Sequence, residues 1–190
     1  MSRRKQRLVL VGVFALFFIP VLMAWLLRIN PIQLNTVNYG VLLDPPRQTT
    51  AASLTIQHAL ENSAELFADD WTMVVVGTED CAASCRENLI ATRQARTAIN
   101  KDFDRVRRIL VTTQSVASEA REELLRLHPD LTLVTASATW VEKFTAAHAE
   151  PGAAWLVDPR GYQFMHYPGK LNASHILKDL KRLLKISAVG

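Results

Sequence analysis

The sequence predicts an α/β domain, a largely parallel sheet with helices on both faces, preceded by one transmembrane helix. Three observations carry that reading. Residues 8–27 form a 20-residue run without a charge. From Trp71 onward, valine-rich apolar runs of strand length alternate with amphipathic helical stretches. The only two cysteines of the 190-residue chain, Cys81 and Cys85, fall where the first of those strands gives way to a helix.

Residues 1–7 read as a basic cytoplasmic tail and residues 8–27 as the membrane span. At about 1.5 Å rise per residue, 20 residues cross the roughly 30 Å hydrocarbon layer. An uncleaved anchor fits better than a cleaved signal peptide. The apolar run exceeds a signal core, and Trp25-Leu26-Leu27-Arg28 stands where a small-residue cleavage site would stand. Four basic residues precede the span and one follows it. The N-terminus is therefore expected in the cytoplasm and the bulk of the chain across the membrane, in the periplasm for a bacterial inner membrane.

Charge excludes one class of partner. The formal net charge is +4, but residues 1–28 hold five basic and no acidic side chains. Residues 29–190 then carry 17 basic against 18 acidic groups. A nearly neutral body lacks the footprint of a nucleic-acid binder.

Residues 28–50 read as a linker with a candidate edge strand at 38–43, ended by Asp44-Pro45-Pro46. The exported domain is expected over 51–190. Residues 51–70 suit either a helix or a strand. Residues 71–76 read as a strand covered on both faces. Residues 84–100 read as a helix with Leu89, Ile90 and Ala98 inward, and 106–113 as a second central strand. Ser115 is a candidate cap for a helix lined by Ala120, Leu124 and Leu127 and stopped at His128-Pro129. A short strand at 131–135, a short helix with Trp140, Phe144 and Ala147, and a hairpin about Asp158-Pro159-Arg160-Gly161 follow. Residues 174–186 form a last helix, with Ile176, Leu177, Leu180, Leu183 and Leu184 on one stripe. No internal repeat or low-complexity tract is visible. This order is the thioredoxin-like architecture, with flanking helices and a hairpin adding an antiparallel edge.

Cys81 and Cys85, four apart, would share one face of a helical turn with Cα atoms about 6 Å apart, within disulfide reach. The same spacing lets two thiolates converge on a soft ion such as Cu(I) or Zn(II). A helix N-terminus favours the thiolate, while Glu79 and Asp80 oppose it. The sulfurs are expected at the lip of the sheet, facing outward and available to react. A mere staple is the plainer alternative, but a disulfide across so few residues constrains the unfolded chain little.

The membrane anchor, the apolar strand leading into Gly77-Thr78-x-x-Cys81-x-x-x-Cys85, and the late Leu156-Val157-Asp158-Pro159-x-Gly161 hairpin resemble the SCO/SenC proteins. That resemblance implies a thioredoxin-fold factor for cytochrome c oxidase assembly, with oxidase subunits as partners and Cu(I) as the metal held. It implies Cys81 and Cys85 as the redox or copper-binding thiols and His148, upstream of the hairpin, as a third ligand. His166 reads as structural, and His58, His128 and His175 have no motif around them. If the chain is an enzyme at all, it is at most a thiol–disulfide oxidoreductase. Two competitors stand beside this. A peroxidase of the peroxiredoxin type matches Thr78-x-x-Cys81, but its proline position is Val74. A docking module of a respiratory membrane complex would keep the cysteines as a fixed disulfide.

Overall fold

The computed structural model describes residues 3–29, 37–59, 66–77, 81–146, 150 and 152–187. The chain divides into two compact units, Met1–Val37 and Asn38–Gly190. Among its described residues the first contains the helix α1 (Arg3–Ile29), with Pro20 inside it. Within it, Val11–Ile29 is long and apolar enough to cross a membrane.

The second unit is a seven-stranded mixed sheet in the order β1-β7-β6-β3-β4-β5-β2. Its central strand, β3 (Trp71–Val76), pairs parallel with β4 (Val106–Thr112), which pairs parallel with β5 (Leu131–Ala136). On the other side β3 pairs antiparallel with β6 (Ala154–Val157) of the β6–β7 hairpin; β7 is Tyr162–Tyr167. Tight closure of that hairpin depends on Gly161, at φ +83°, which donates its N–H to Asp158 O at 2.9 Å. The hairpin is not an edge, because β1 (Val41–Gln48) adds beyond β7.

Alternation along β3 divides the core. Met73 and Val75 face a cluster with Leu89, Leu124, Ile176, Leu180 and both cysteines. These contacts are supplied by α2 (Ala83–Thr97), α3 (Ser118–Leu127) and α5 (Ala173–Ile186). Val74 faces the opposite cluster, where α4 (Ala138–Thr145) brings Trp140 and Phe144 against Phe67 and Trp155. Of the expected α5 stripe, Ile176, Leu180 and Leu184 are buried, and Leu177 and Leu183 are half-buried against the same cluster. Each fully buried side chain contributes about 1.5–3 kcal/mol of burial.

Several expectations need correction. The strand expected to break at Asp44-Pro45-Pro46 runs through it to Gln48. Proline is tolerated there because β1 is an edge strand, and the pairing with β7 is irregular between Leu42 and Arg47. β1 takes up the candidate edge strand of residues 38–43 and extends it to Gln48, within the compact unit Asn38–Gly190. The open stretch 51–70 contains a strand, β2 (Leu54–His58), antiparallel to β5 at the other margin. On α2, Ile90 and Ala98 face outward, because the inward stripe is set by Cys85 and continues through Asn88, Leu89, Thr92 and Ala95. α3 begins after Ala117 rather than Ser115, and Leu127 is exposed. Ala147 lies outside the described residues.

Candidate functional site: a buried disulfide between β3 and α2

Cys81 and Cys85 are joined in a disulfide, with Cα atoms 5.2 Å apart. The geometry is not the helical i, i+4 pair expected. Cys81 lies outside the helix, ahead of the N-cap Ala82, and its φ is +44°. That left-handed conformation folds the chain back so that Cys81 meets Cys85 in the first turn of α2. Arg86 adds a second tie, its Nε–H donating to Cys81 O at 3.1 Å.

The sulfurs do not face outward. Cys81 is 0% and Cys85 2% exposed, both within the core cluster beneath α2. Close approach of bare backbone makes this burial feasible. A Cβ added to Gly77 would stand 2.8 Å from Cys85 Sγ and 3.2 Å from Leu110 Cδ1. Gly152, at φ +82°, packs against the backbone between Ser84 and Cys85, where an added Cβ would be 3.1 Å from Cys85 N. Glycine is required at that place by both space and backbone angle.

Two polar assemblies fix α2, and hence Cys85. Near the disulfide, the buried Asn88 side chain donates from Nδ2 to Gly152 O (2.7 Å) and Gly169 O (3.0 Å). Its Oδ1 accepts from Leu171 N at 2.9 Å. One amide thus joins α2 to the approach of β6 and to the β7–α5 connection. Toward the other end, the buried Arg108 of β4 donates to Leu89 O, Thr92 Oγ1 and Asp130 Oδ1. Burial draws the Arg108 guanidinium down to about 10 against the pull of Asp130. Burial would raise the Asp130 carboxyl, but the charge and hydrogen bond of Arg108, with the charge of Arg96, hold it below its usual range. Burial, with Arg108 and Arg93 nearby, draws His128 down to about 4.

A third buried group ties the beginning of the unit to α5. Asp179 accepts from Tyr39 N, Gly40 N and Tyr167 Oη at 3.0–3.2 Å. Burial and the neighbouring Asp179 raise the Tyr167 phenol above its usual value.

Among the described residues, no group of three His, Cys, Asp or Glu side chains could hold a metal ion. Cys81 and Cys85 are bonded to one another, so as they stand they offer copper no thiolate. His148, the third ligand expected from the resemblance, lies outside the described residues, as do Glu79 and Asp80. His166 is buried on β7, as a structural residue would be. His175 stacks on Tyr39 with ring centres 4.0 Å apart, and His128 is buried beside Arg108 and Asp130.

A sheet with a disulfide between its central strand and the following helix defines a thioredoxin-fold protein. Residues 71–187 match the family described as "Transmembrane-like, thioredoxin-like, C-terminal domain", and the chain belongs to that family. No curated protein matches the chain in sequence. Among solved structures, it is similar to apo Sco1 from Thermus thermophilus, with TM-score 0.56, 17% identity, and coverage of 77% of this chain and 97% of that one. Copper-bound ScoI from Arabidopsis thaliana gives 0.53 at 14% identity, covering 64% and 87%. A thioredoxin-like protein from Porphyromonas gingivalis gives 0.54 at 16%, covering 72% and 92%. At these identities the likeness is one of fold. The architecture is Sco-like and thioredoxin-like, in a divergent sequence.

Proposed function

We propose that this protein is a membrane-tethered, Sco-like factor of cytochrome c oxidase assembly that acts by thiol–disulfide exchange through Cys81 and Cys85. In this reading α1 anchors the chain in a bacterial inner membrane, with the N-terminus cytoplasmic and the domain periplasmic. The reduced pair would open a disulfide in an oxidase subunit's copper site and end as the Cys81–Cys85 disulfide. Cys81 is the attacking thiol, since it precedes the helix, whereas Cys85 is held within α2 beneath Gly77. The observation that supports the reading most is the place of the chain's only cysteine pair, joined between the central strand and the next helix. A bond closing so short a loop adds little stability by restricting the unfolded chain.

The test is redox equilibration of the full chain in detergent. Reversible reduction at a potential above about −300 mV supports exchange, and a value well below it marks a structural bond. Cys81→Ser should abolish transfer to an oxidised oxidase-subunit peptide.

Copper binding is a further part of the proposal, drawn from the copper-bound ScoI neighbour. It requires prior reduction and a third donor, for which His148 is the candidate. Cu(I) titration of the reduced protein, wild type against Cys81→Ser and His148→Ala, decides it: equal binding by all three excludes the site.

Burial of both sulfurs favours a second reading, a non-catalytic docking module of a respiratory membrane complex with a permanent disulfide. Oxidase maturation unaffected by serine at both positions supports it over exchange.

A further inference from the structure

Cys81 occupies a backbone region where a residue with a Cβ stays only if its surroundings hold it. Among the described residues, two restraints act on it: the bond to Cys85 and the Arg86 Nε–H at its carbonyl oxygen. The N-cap offers no third restraint, since Ala82 makes no side-chain capping bond. Ala82, Ala83 and Ser84 are exposed, and so is Arg86, although the disulfide they surround is not. The grip on Cys81 can therefore be reached from solvent where the sulfurs cannot.

We propose that Arg86 is the positioning residue of the pair, a latch that holds the disulfide closed and decides how readily a dithiol can open it. The inference rests on the exchange reading above. Reduction proceeds by attack of a reductant thiolate on Cys81 Sγ. The Sγ–Sγ bond breaks, and Cys85 departs as a thiolate and takes up a proton. The reductant's second thiolate then displaces Cys81 from the mixed disulfide, leaving the reductant oxidised and both cysteines reduced. Once freed from Cys85, Cys81 can relax out of its left-handed conformation. The Arg86 bond, made to the carbonyl in that conformation, is then lost. Arg86 thus stabilises the oxidised form selectively and slows the opening that attack on a buried sulfur demands.

The experiment uses the full chain in detergent micelles, equilibrated with reduced and oxidised dithiothreitol and scored by thiol alkylation. Arg86→Met removes the donor and keeps an unbranched side chain; Arg86→Lys keeps a charged donor. Arg86→Met is expected to shift the equilibrium toward the dithiol by about threefold to tenfold, the size of one net hydrogen bond. For a two-electron couple this is about 15–30 mV toward easier reduction. The opening rate should rise in parallel, and Arg86→Lys should restore both to within about twofold, since a net bond of this size is retained. Melting of the reduced protein should be unchanged by Arg86→Met, while that of the oxidised protein falls. A wild-type pair that reduces reversibly, with Arg86→Met matching it in equilibrium and rate, overturns the latch alone. Equal loss of stability in both redox states also overturns it, showing a structural role. A wild-type pair that no dithiol ratio reduces in the folded protein overturns the exchange reading itself.

Discussion

His128 is buried beside Arg108, Arg93 and Asp130, and burial with the two arginine charges draws its imidazole down to about 4. An unfolded histidine titrates near 6.5, so between about pH 6.5 and 4 the unfolded chain binds the extra proton. The stability this histidine contributes is intact above pH 6.5 and is lost as pH falls through 4. The loss should reach about 3 kcal/mol, read from urea midpoints. His128→Gln should flatten that slope without changing the redox behaviour of the cysteines. A slope unchanged by the substitution would place the acid sensitivity elsewhere. Such residues are not legible in the sequence. His128 has no motif, and Arg108 reads as one of two adjacent strand arginines, with no pattern to say that its side chain lies wholly inside. Arg86 and Asn88 resemble ordinary polar positions on an amphipathic helix. Only the three-residue spacing of Asn88 from Cys85 points inward. By contrast the cysteine pair can be read directly, because two cysteines four apart at a strand–helix junction are close enough to bond or to share an ion. Its burial cannot, since helical i, i+4 geometry does not apply to a residue that lies before the helix.

At the scale of elements, β3, β4, α4, the hairpin and α5 follow closely from apolar periodicity. β2 does not, because Ser53-Leu54-Thr55-Ile56-Gln57 alternates like a strand while Leu54, His58 and Glu61 keep helical spacing. Only pairing with β5 decides between them. The junction of β3 with α2 depends on contacts that periodicity does not reveal. Gly77→Ala should place a methyl carbon 2.8 Å from Cys85 Sγ, costing about 1–3 kcal/mol through overpacking. The cost should fall in a Cys85→Ser background, which a double-mutant cycle in urea would detect. Asn88→Ala removes two buried hydrogen bonds and one half-buried one and should cost about 2–4 kcal/mol. Hydrogen exchange should locate its effect at Leu171 N rather than across the sheet. Uniform loosening would show that Asn88 acts on global stability alone.

For the molecule as a whole, the polar ties are distributed so that each joins elements distant in the chain. Asp179 joins Tyr39 and Gly40, at the start of the compact unit, to the last helix. Tyr39 also stacks on His175 and lies beneath the Lys178 ammonium. Asp179→Ala should destabilise the full chain by about 1–3 kcal/mol, since it strands the buried Gly40 N–H and Tyr167 hydroxyl and removes the half-buried bond from Tyr39 N. The Tyr39 and Gly40 amides should lose exchange protection first, and β3 and β4 amides last. Equal loss everywhere would mean that β1 is not a separable margin.

Pro45 and Pro46 have a consequence for how the molecule behaves in a crowd. They lie within the outermost strand on its side of the sheet, and neither carries an amide hydrogen. An extended segment from a neighbour, sliding along that border in search of a ladder, finds the rungs missing there. Strand addition at that border is thus discouraged by the ring nitrogens of Pro45 and Pro46, while β2 forms the other margin of the sheet.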